Sequence, residues 1–242
     1  MGVRNIVARL LPQVWKLQWK LWCRNRSDRI QRLDFAASKT DSQVAATHQF
    51  FLQEQQPIRP GAALQNKLIN LRLGAAGVHH VIIQANQVFS FWKLIGNPSK
   101  KNGFAKSRSI VNGKLEPETG GGLCQLSGII YLLALRAGLS IIERHHHSID
   151  IYQEAERFTP LGADATVAYG YKDLRFINNL SQSIYFSFLV EPTKLSANLH
   201  SCEPVPMRLI SFTYDFKDEM VAVQTLADGV PISVRQYRRN VL

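Results

Sequence analysis

The segment from Cys124 to Arg136 constrains the fold more than any other part of this chain. Read at helical spacing, Leu126, Ile129, Ile130, Leu132, Leu133 and Leu135 cover most sides of one helix and leave no broad polar face. A helix that is apolar on most sides has to be buried, so the rest of the chain must supply layers that wrap it. Gly138 stops it, and Gly120-Gly121-Gly122 precede it, where glycine lets a loop turn tightly into a helix. A chain of 242 residues is long enough to build one substantial core around such an element. Hydrophobic residues at 45% and aromatic residues at 10% exclude disorder as the overall class.

The flanking segments alternate between helical and strand-like patterns. Apolar spacing predicts helices over 41–54 and 61–76, the second stopped by Gly77. Residues 78–91 read as strand with a turn near Asn86, and 104–115 as a hairpin whose Asn112-Gly113 pair favours a type I′ turn. Further strands are expected at 139–145, 165–169, 173–177 and 184–190, with Asn178-Asn179 turning the chain before the last. After Pro204, the alternation Met207, Leu209, Ser211, Thr213 and the later Val221, Ile232 and Val234 predict more strands, joined by Asp228-Gly229. No internal repeat interrupts this order. The expected fold is a single α+β domain, a mainly antiparallel sheet packed against the cysteine-bearing helix. Residues 1–33 form a basic amino-terminal segment, 34–204 the domain with its core at 87–190, and 205–242 a β extension of the same domain.

A formal net charge of +11 favours anionic partners such as lipid head groups or cell-wall polymers. Nucleic acid is not expected, because neither zinc-finger spacing nor clustered RNA-binding aromatics nor a recognition helix is visible. Trp15, Trp19 and Trp22 fall at i, i+4, i+7 within the basic stretch 4–32, on one helical face. That face suits either an interfacial helix on anionic lipid or an arm packed on the domain. No stretch approaches the roughly 20 apolar residues needed to span a bilayer. The amino terminus also lacks a compact apolar signal core, so the expected location is cytoplasmic or peripheral to the inner membrane face, with the cell envelope as the other option. Three cysteines without a CxxC motif point to a reduced compartment.

The candidate chemistry is concentrated around the glycines. Cys124 stands at a helix N-terminus, whose dipole favours a thiolate. His145 and His147 follow on the next expected strand, where alternate residues share a face with Glu143, and Asp164 comes later. In one reading Cys124 is a nucleophile, His145 or His147 its base and Asp164 the orienting acid. Backbone N–H groups at the Gly122–Gln125 turn then form an oxyanion hole with the Gln125 side chain as a further donor, and Gly121 borders the substrate. That helix-then-strand layout is similar to papain- and transglutaminase-like enzymes. A second reading makes Cys124, His145 and His147 three zinc ligands with an open position. A third needs no turnover and no cofactor: the glycine loop and helix N-terminus hold a carboxylate or phosphate, assisted by Arg144 or His146. A cysteine heading an apolar helix also serves simply as a small buried hydrophobe. Cys202 shows no partner, and His79-His80 are expected to be solvated.

Several blocks together resemble a known family. Phe89-Ser90-Phe91-Trp92, Gly120-Gly121-Gly122-Leu123-Cys124-Gln125-Leu126-Ser127, Glu143-Arg144-His145 with His147-Ser148, and Asp173-Leu174 followed by Phe176 and Asn178 occur in the order seen in VanW-like proteins. That family takes its name from an accessory protein encoded beside vancomycin-resistance genes. The resemblance implies a cell-wall setting. The corresponding expectation is a cysteine amidase or transferase acting on peptidoglycan stem peptides, with a binding module for such peptides or for an anionic polymer as the alternative.

Overall fold

The computed structural model describes residues 12–39, 46–111, 114–150, 157 and 159–239. The start of the basic segment, residues 41–45 of the helix expected at 41–54 and the Asn112-Gly113 turn lie outside the described residues. Four α-helices and thirteen strands are seen among the rest. The first helix, α1 (Gln13–Ile30), is followed by strand β1 (Phe50–Pro57) and helix α2 (Leu64–Val78). Strands β2 (Ile82–Ile83) and β3 (Val88–Ser90) flank a turn at Asn86, and the short helix α3 (Phe91–Ile95) is capped by the Ser90 hydroxyl. A hairpin of β4 (Lys106–Val111) and β5 (Lys114–Thr119) leads through the glycines into α4 (Leu123–Arg136). Then come β6 (Ser140–Glu143), β7 (Ile149–Asp150), β8 (Arg175–Ile177), β9 (Ile184–Val190) and β10 (Lys194–Ser201). The chain closes with β11 (Ile210–Lys217), β12 (Met220–Ala227) and β13 (Val230–Arg239).

Helix α4 is the centre of the molecule. Leu126, Ile129, Ile130 and Leu133 are wholly buried among Leu71 of α2, Phe89, Phe176, Phe186 and the inward residues of β10. Phe89 and Phe176 stack with centroids 4.5 Å apart, tying β3 to β8. The fold is α+β with mostly antiparallel pairing, in sheets ordered β1-β10-β9-β2, β3-β8-β6, β4-β5 and β11-β12-β13-β7. Among the described strands, only β7 runs parallel to its neighbour, β13. The β11–β13 meander carries a small core of its own, Val221, Val223 and Tyr237, backed by Leu161, Phe212 and Tyr214. Its Asp228-Gly229 turn has φ of 53° and 79°, both positive as a type I′ turn requires.

Several expectations need correction. Residues 50–54 are strand, not helix: β1 pairs along its whole length with β10, and cross-strand bonding outweighs local periodicity there. Gly77 does not stop α2, which continues to Val78; its missing side chain lets the helix approach the Ile95 backbone. The strand expected at 139–145 ends at Glu143. No strand forms at 165–169 beyond one bridge between Ala168 and Lys172. The segment instead crosses α4, where the Ser127 hydroxyl donates to the Ala165 carbonyl and the Thr166 N–H to that of His145. Strand β10 was not expected, although Leu195, Ala197 and Leu199 alternate with polar residues.

Candidate functional site

The glycine turn is shaped first by packing. Gly120 and Gly122 have φ of +84° and +101°, left-handed values that favour glycine. Gly121 lies against the Ser107 carbonyl, which any Cβ would overlap. Asn70, fully buried in α2, fastens the turn: its amide donates to the Ala105 and Gly121 carbonyls, each at 2.9 Å, and its oxygen accepts from the Ala105 N–H. Gly121 therefore faces the protein and not a ligand. The N–H groups of Leu123 and Gln125 bond back to Gly120 and Gly122, so these two donors are not available to an oxyanion.

Beyond the turn opens a cavity of about 290 Å³ between α2, the head of α4, the loop after β6 and the C-terminal sheet. Cys124, His147, Asp164, Gly122 and Gln125 all line it. The structure thus brings three of the four expected catalytic residues to one hollow. Their states differ from the expectation. Burial pushes the Cys124 thiol up, with the Glu118 and Asp164 carboxylates adding to the effect, so the helix end does not produce a resting thiolate. The sulfhydryl makes a long contact of 3.9 Å with the Val167 carbonyl. Burial also lowers His147, against the opposing pull of Asp164, so its ring is neutral at pH 7. Among the described residues, nothing hydrogen-bonds the His147 ring. Gln125 turns its amide to the Pro57 carbonyl at 2.9 Å.

Asp164 does not orient an imidazole. Its carboxylate accepts from Arg144, from the Tyr237 hydroxyl at 2.7 Å and from the His147 backbone N–H at 2.7 Å. Arg144 also donates to the Gly162 and Asp164 carbonyls, stacks over Tyr131 and is almost fully buried. It is a clasp that locks the loop after β6 to the C-terminal sheet, and not a free anion ligand.

His145 points elsewhere. Residues 144–147 have left the strand, so the two imidazoles do not share a face. The His145 ring bonds Glu143 at 3.1 Å, inside a network that joins α1 to the domain. There Asp173 accepts from the Ser90 hydroxyl, the Trp92 N–H and Arg175, while Glu143 accepts from Arg24 and the Asp173 N–H. Arg175 reaches Asp28 at 2.7 Å. The motif residues Ser90, Trp92, Glu143, His145 and Asp173 thus act together in anchoring a helix. With His145 turned away, the three suggested zinc ligands do not converge. No group of three or more His, Cys, Asp or Glu suited to a metal occurs among the described residues.

Two features were not read from sequence. One wall of the cavity is cationic: Arg59, Lys67 and Arg108 meet beside Gly122, and burial together with these two arginines pushes Lys67 down to about 8. Across the space Asp150 pairs with Arg157. The other feature is a thiol–imidazole pair, Cys202 Sγ to His48 Nε2 at 3.4 Å, with the Ser183 hydroxyl 3.0 Å from the same nitrogen. The antiparallel register that sets Phe50 opposite Ser201 brings the preceding histidine to the following cysteine. His79 and His80 are not simply solvated: their rings stack 4.0 Å apart, and His79 accepts from the Phe188 N–H.

These observations describe an α+β domain with a small cavity, cationic on one side and bearing a thiol and a neutral imidazole on the other. The chain belongs to the VanW-like family: the family model "VanW like protein" matches residues 66–200, more than half of its length. Vancomycin B-type resistance protein VanW of Enterococcus faecalis is 33% identical over 115 residues, covering 48% of this chain and 42% of that one. Uncharacterized protein YoaR of Bacillus subtilis is 31% identical over 140 residues, covering 58% and 45%. The chain spans less than half the length of these curated relatives. No solved structure matches it. The matched region holds Lys67, Cys124, His147 and Asp164, whereas α1 and Tyr237 fall outside it.

Proposed function

We propose that the cavity binds the carboxylate end of a peptidoglycan-related peptide, so that the protein serves as a cell-wall accessory module. The observation that carries this reading is the gathering of Arg59, Lys67 and Arg108 on one wall of the cavity beside Gly122. Burial and the two neighbouring guanidinium groups both disfavour the Lys67 ammonium, and an anion bound beside it would offset that repulsion. A volume of about 290 Å³ is at the small end for ligand sites, suited to one or two terminal residues and not to a polymer chain. The family membership supports the cell-wall setting. Titration with a peptide ending in D-alanyl-D-alanine and with its carboxamide tests it. Binding at least about tenfold weaker for the amide is expected, the loss of one charge-assisted contact; equal affinity would refute the carboxylate as the recognised group.

A second reading keeps Cys124 as nucleophile, favoured by its sharing the cavity with the His147 ring. Here the sulfhydryl proton passes to His147, sulfur bonds to an amide carbonyl, and the departing amine takes that proton back. Water or a second amine then releases the acyl group. The raised thiol pKa acts against this step in the empty site. Release of amine from stem peptides by the parent protein, abolished in Cys124→Ala, would establish it; equal release by both would remove it.

A further inference from the structure

Among the described contacts, helix α1 is attached mainly by one face. Leu17 and Leu21 lie over Gly170, where a Cβ would overlap Leu17; Arg24 bonds Glu143, and Asp28 bonds Arg175. At about 100° of rotation per residue, these four positions cover about 60° of arc. Trp15, Trp19 and Trp22 cover a similar arc roughly opposite. Their exposures are 67%, 62% and 50%. Trp19 and Trp22 stack with centroids 5.0 Å apart, and the Arg26 guanidinium lies 5.5 Å from the Trp22 ring.

The charges around this stripe have one sign. Lys20, Arg26 and Arg29 are exposed, while the one acidic residue of the helix, Asp28, is buried on the inner face. Three adjoining indoles facing water are more than scattered surface hydrophobes. A second copy of the chain is a poor cover for them, since it would bring like charges together. An anionic bilayer meets both demands: indoles reside at head-group depth, and lipid phosphates attract the cations. None of the described helices is long and apolar enough to cross a membrane, so α1 would lie along the surface.

We propose that the outward face of α1 is a docking surface for an anionic lipid bilayer, with Trp15, Trp19 and Trp22 inserted between head groups. The proposal is independent of what the cavity binds. The test uses the full chain with phosphatidylcholine vesicles containing about one-third phosphatidylglycerol, beside vesicles of phosphatidylcholine alone, because surface charge drives such binding. Co-sedimentation is expected only with the anionic vesicles, together with a blue shift of tryptophan emission. The fourth tryptophan, Trp92, is buried and supplies a constant background. The combined Trp15→Ser, Trp19→Ser, Trp22→Ser variant should bind at least about tenfold more weakly, and Lys20→Glu, Arg26→Glu, Arg29→Glu should do so with every indole retained. Failure to bind, equal binding to neutral vesicles, or a solution dimer dissolved by the serine variant would overturn the proposal, the last assigning the face to a second copy.

Discussion

Thiol reactivity separates the two sites at the scale of single residues. Burial raises the Cys124 thiol, whereas the Cys202 sulfur lies 3.4 Å from an imidazole nitrogen. We expect iodoacetamide at pH 7.5 to modify Cys202 about tenfold faster than Cys124, and His48→Ala to remove the difference; mass spectrometry of the labelled peptides reads both. This reverses the order that a cysteine at a helix N-terminus suggests, because desolvation outweighs the dipole at Cys124. Lys67 offers a second check. Its folded pKa, about 8, lies below the usual 10.5, so the charged form is disfavoured in the empty cavity. Lys67→Met should therefore raise the melting temperature while abolishing anion binding, and binding by the parent protein should weaken as pH rises through about 8. The glycine-cysteine block stood out in the sequence, and Gly122, Cys124 and Gln125 line the cavity. The cationic wall was not, since Arg59, Lys67 and Arg108 are spread over three segments with no shared motif.

Among the elements, α1 and the glycine turn are the most exacting. The Asp28–Arg175 pair is nearly excluded from water, and removing Asp28 leaves Arg175 with Asp173 and Glu143 as its partners. Asp28→Ala should cost about 1.5–3 kcal/mol, the loss of a charge-assisted contact, measured by urea unfolding. It should release α1, detectable as increased hydrogen exchange over 13–30 with smaller changes in α4. Gly121→Ala forces a methyl into the Ser107 carbonyl and should destabilise by at least about 2 kcal/mol in the same experiment. Helices α1 and α4 could be read from sequence because each has a strong local pattern. The Glu143 to His147 stretch misled for a physical reason. Strand alternation holds only while the ladder continues, and here the chain leaves it at Arg144 to clasp Asp164. One imidazole is thereby sent to the helix anchor and the other to the cavity.

The whole molecule should be acid-sensitive. Burial depresses His79, His146, His147 and His200 below the usual 6.5, so the unfolded chain takes up protons first as pH falls. Stability is then lost progressively below pH 6.5. Glu143 adds to this at lower pH. Burial would raise its carboxyl, but the Arg24 hydrogen bond and charge hold it below 4.5, so its contribution is present above that value and disappears as pH falls through the folded one. We expect the calorimetric melting temperature to drop steadily from pH 7.5 to 4, and a flat profile would contradict the assignment of neutral buried histidines. The amino-acid sequence alone determined an α+β class with mainly antiparallel strands, a turn at Asp228-Gly229 and the family, because each depends on neighbours within a few residues or on the order of short blocks. Only the tertiary structure decided which side chains meet. Pairing β1 with β10 joined His48 to Cys202, and docking α1 turned Leu17 inward and the three indoles outward. Such encounters are set by strand register and helix rotation, which depend on contacts between segments far apart in the chain.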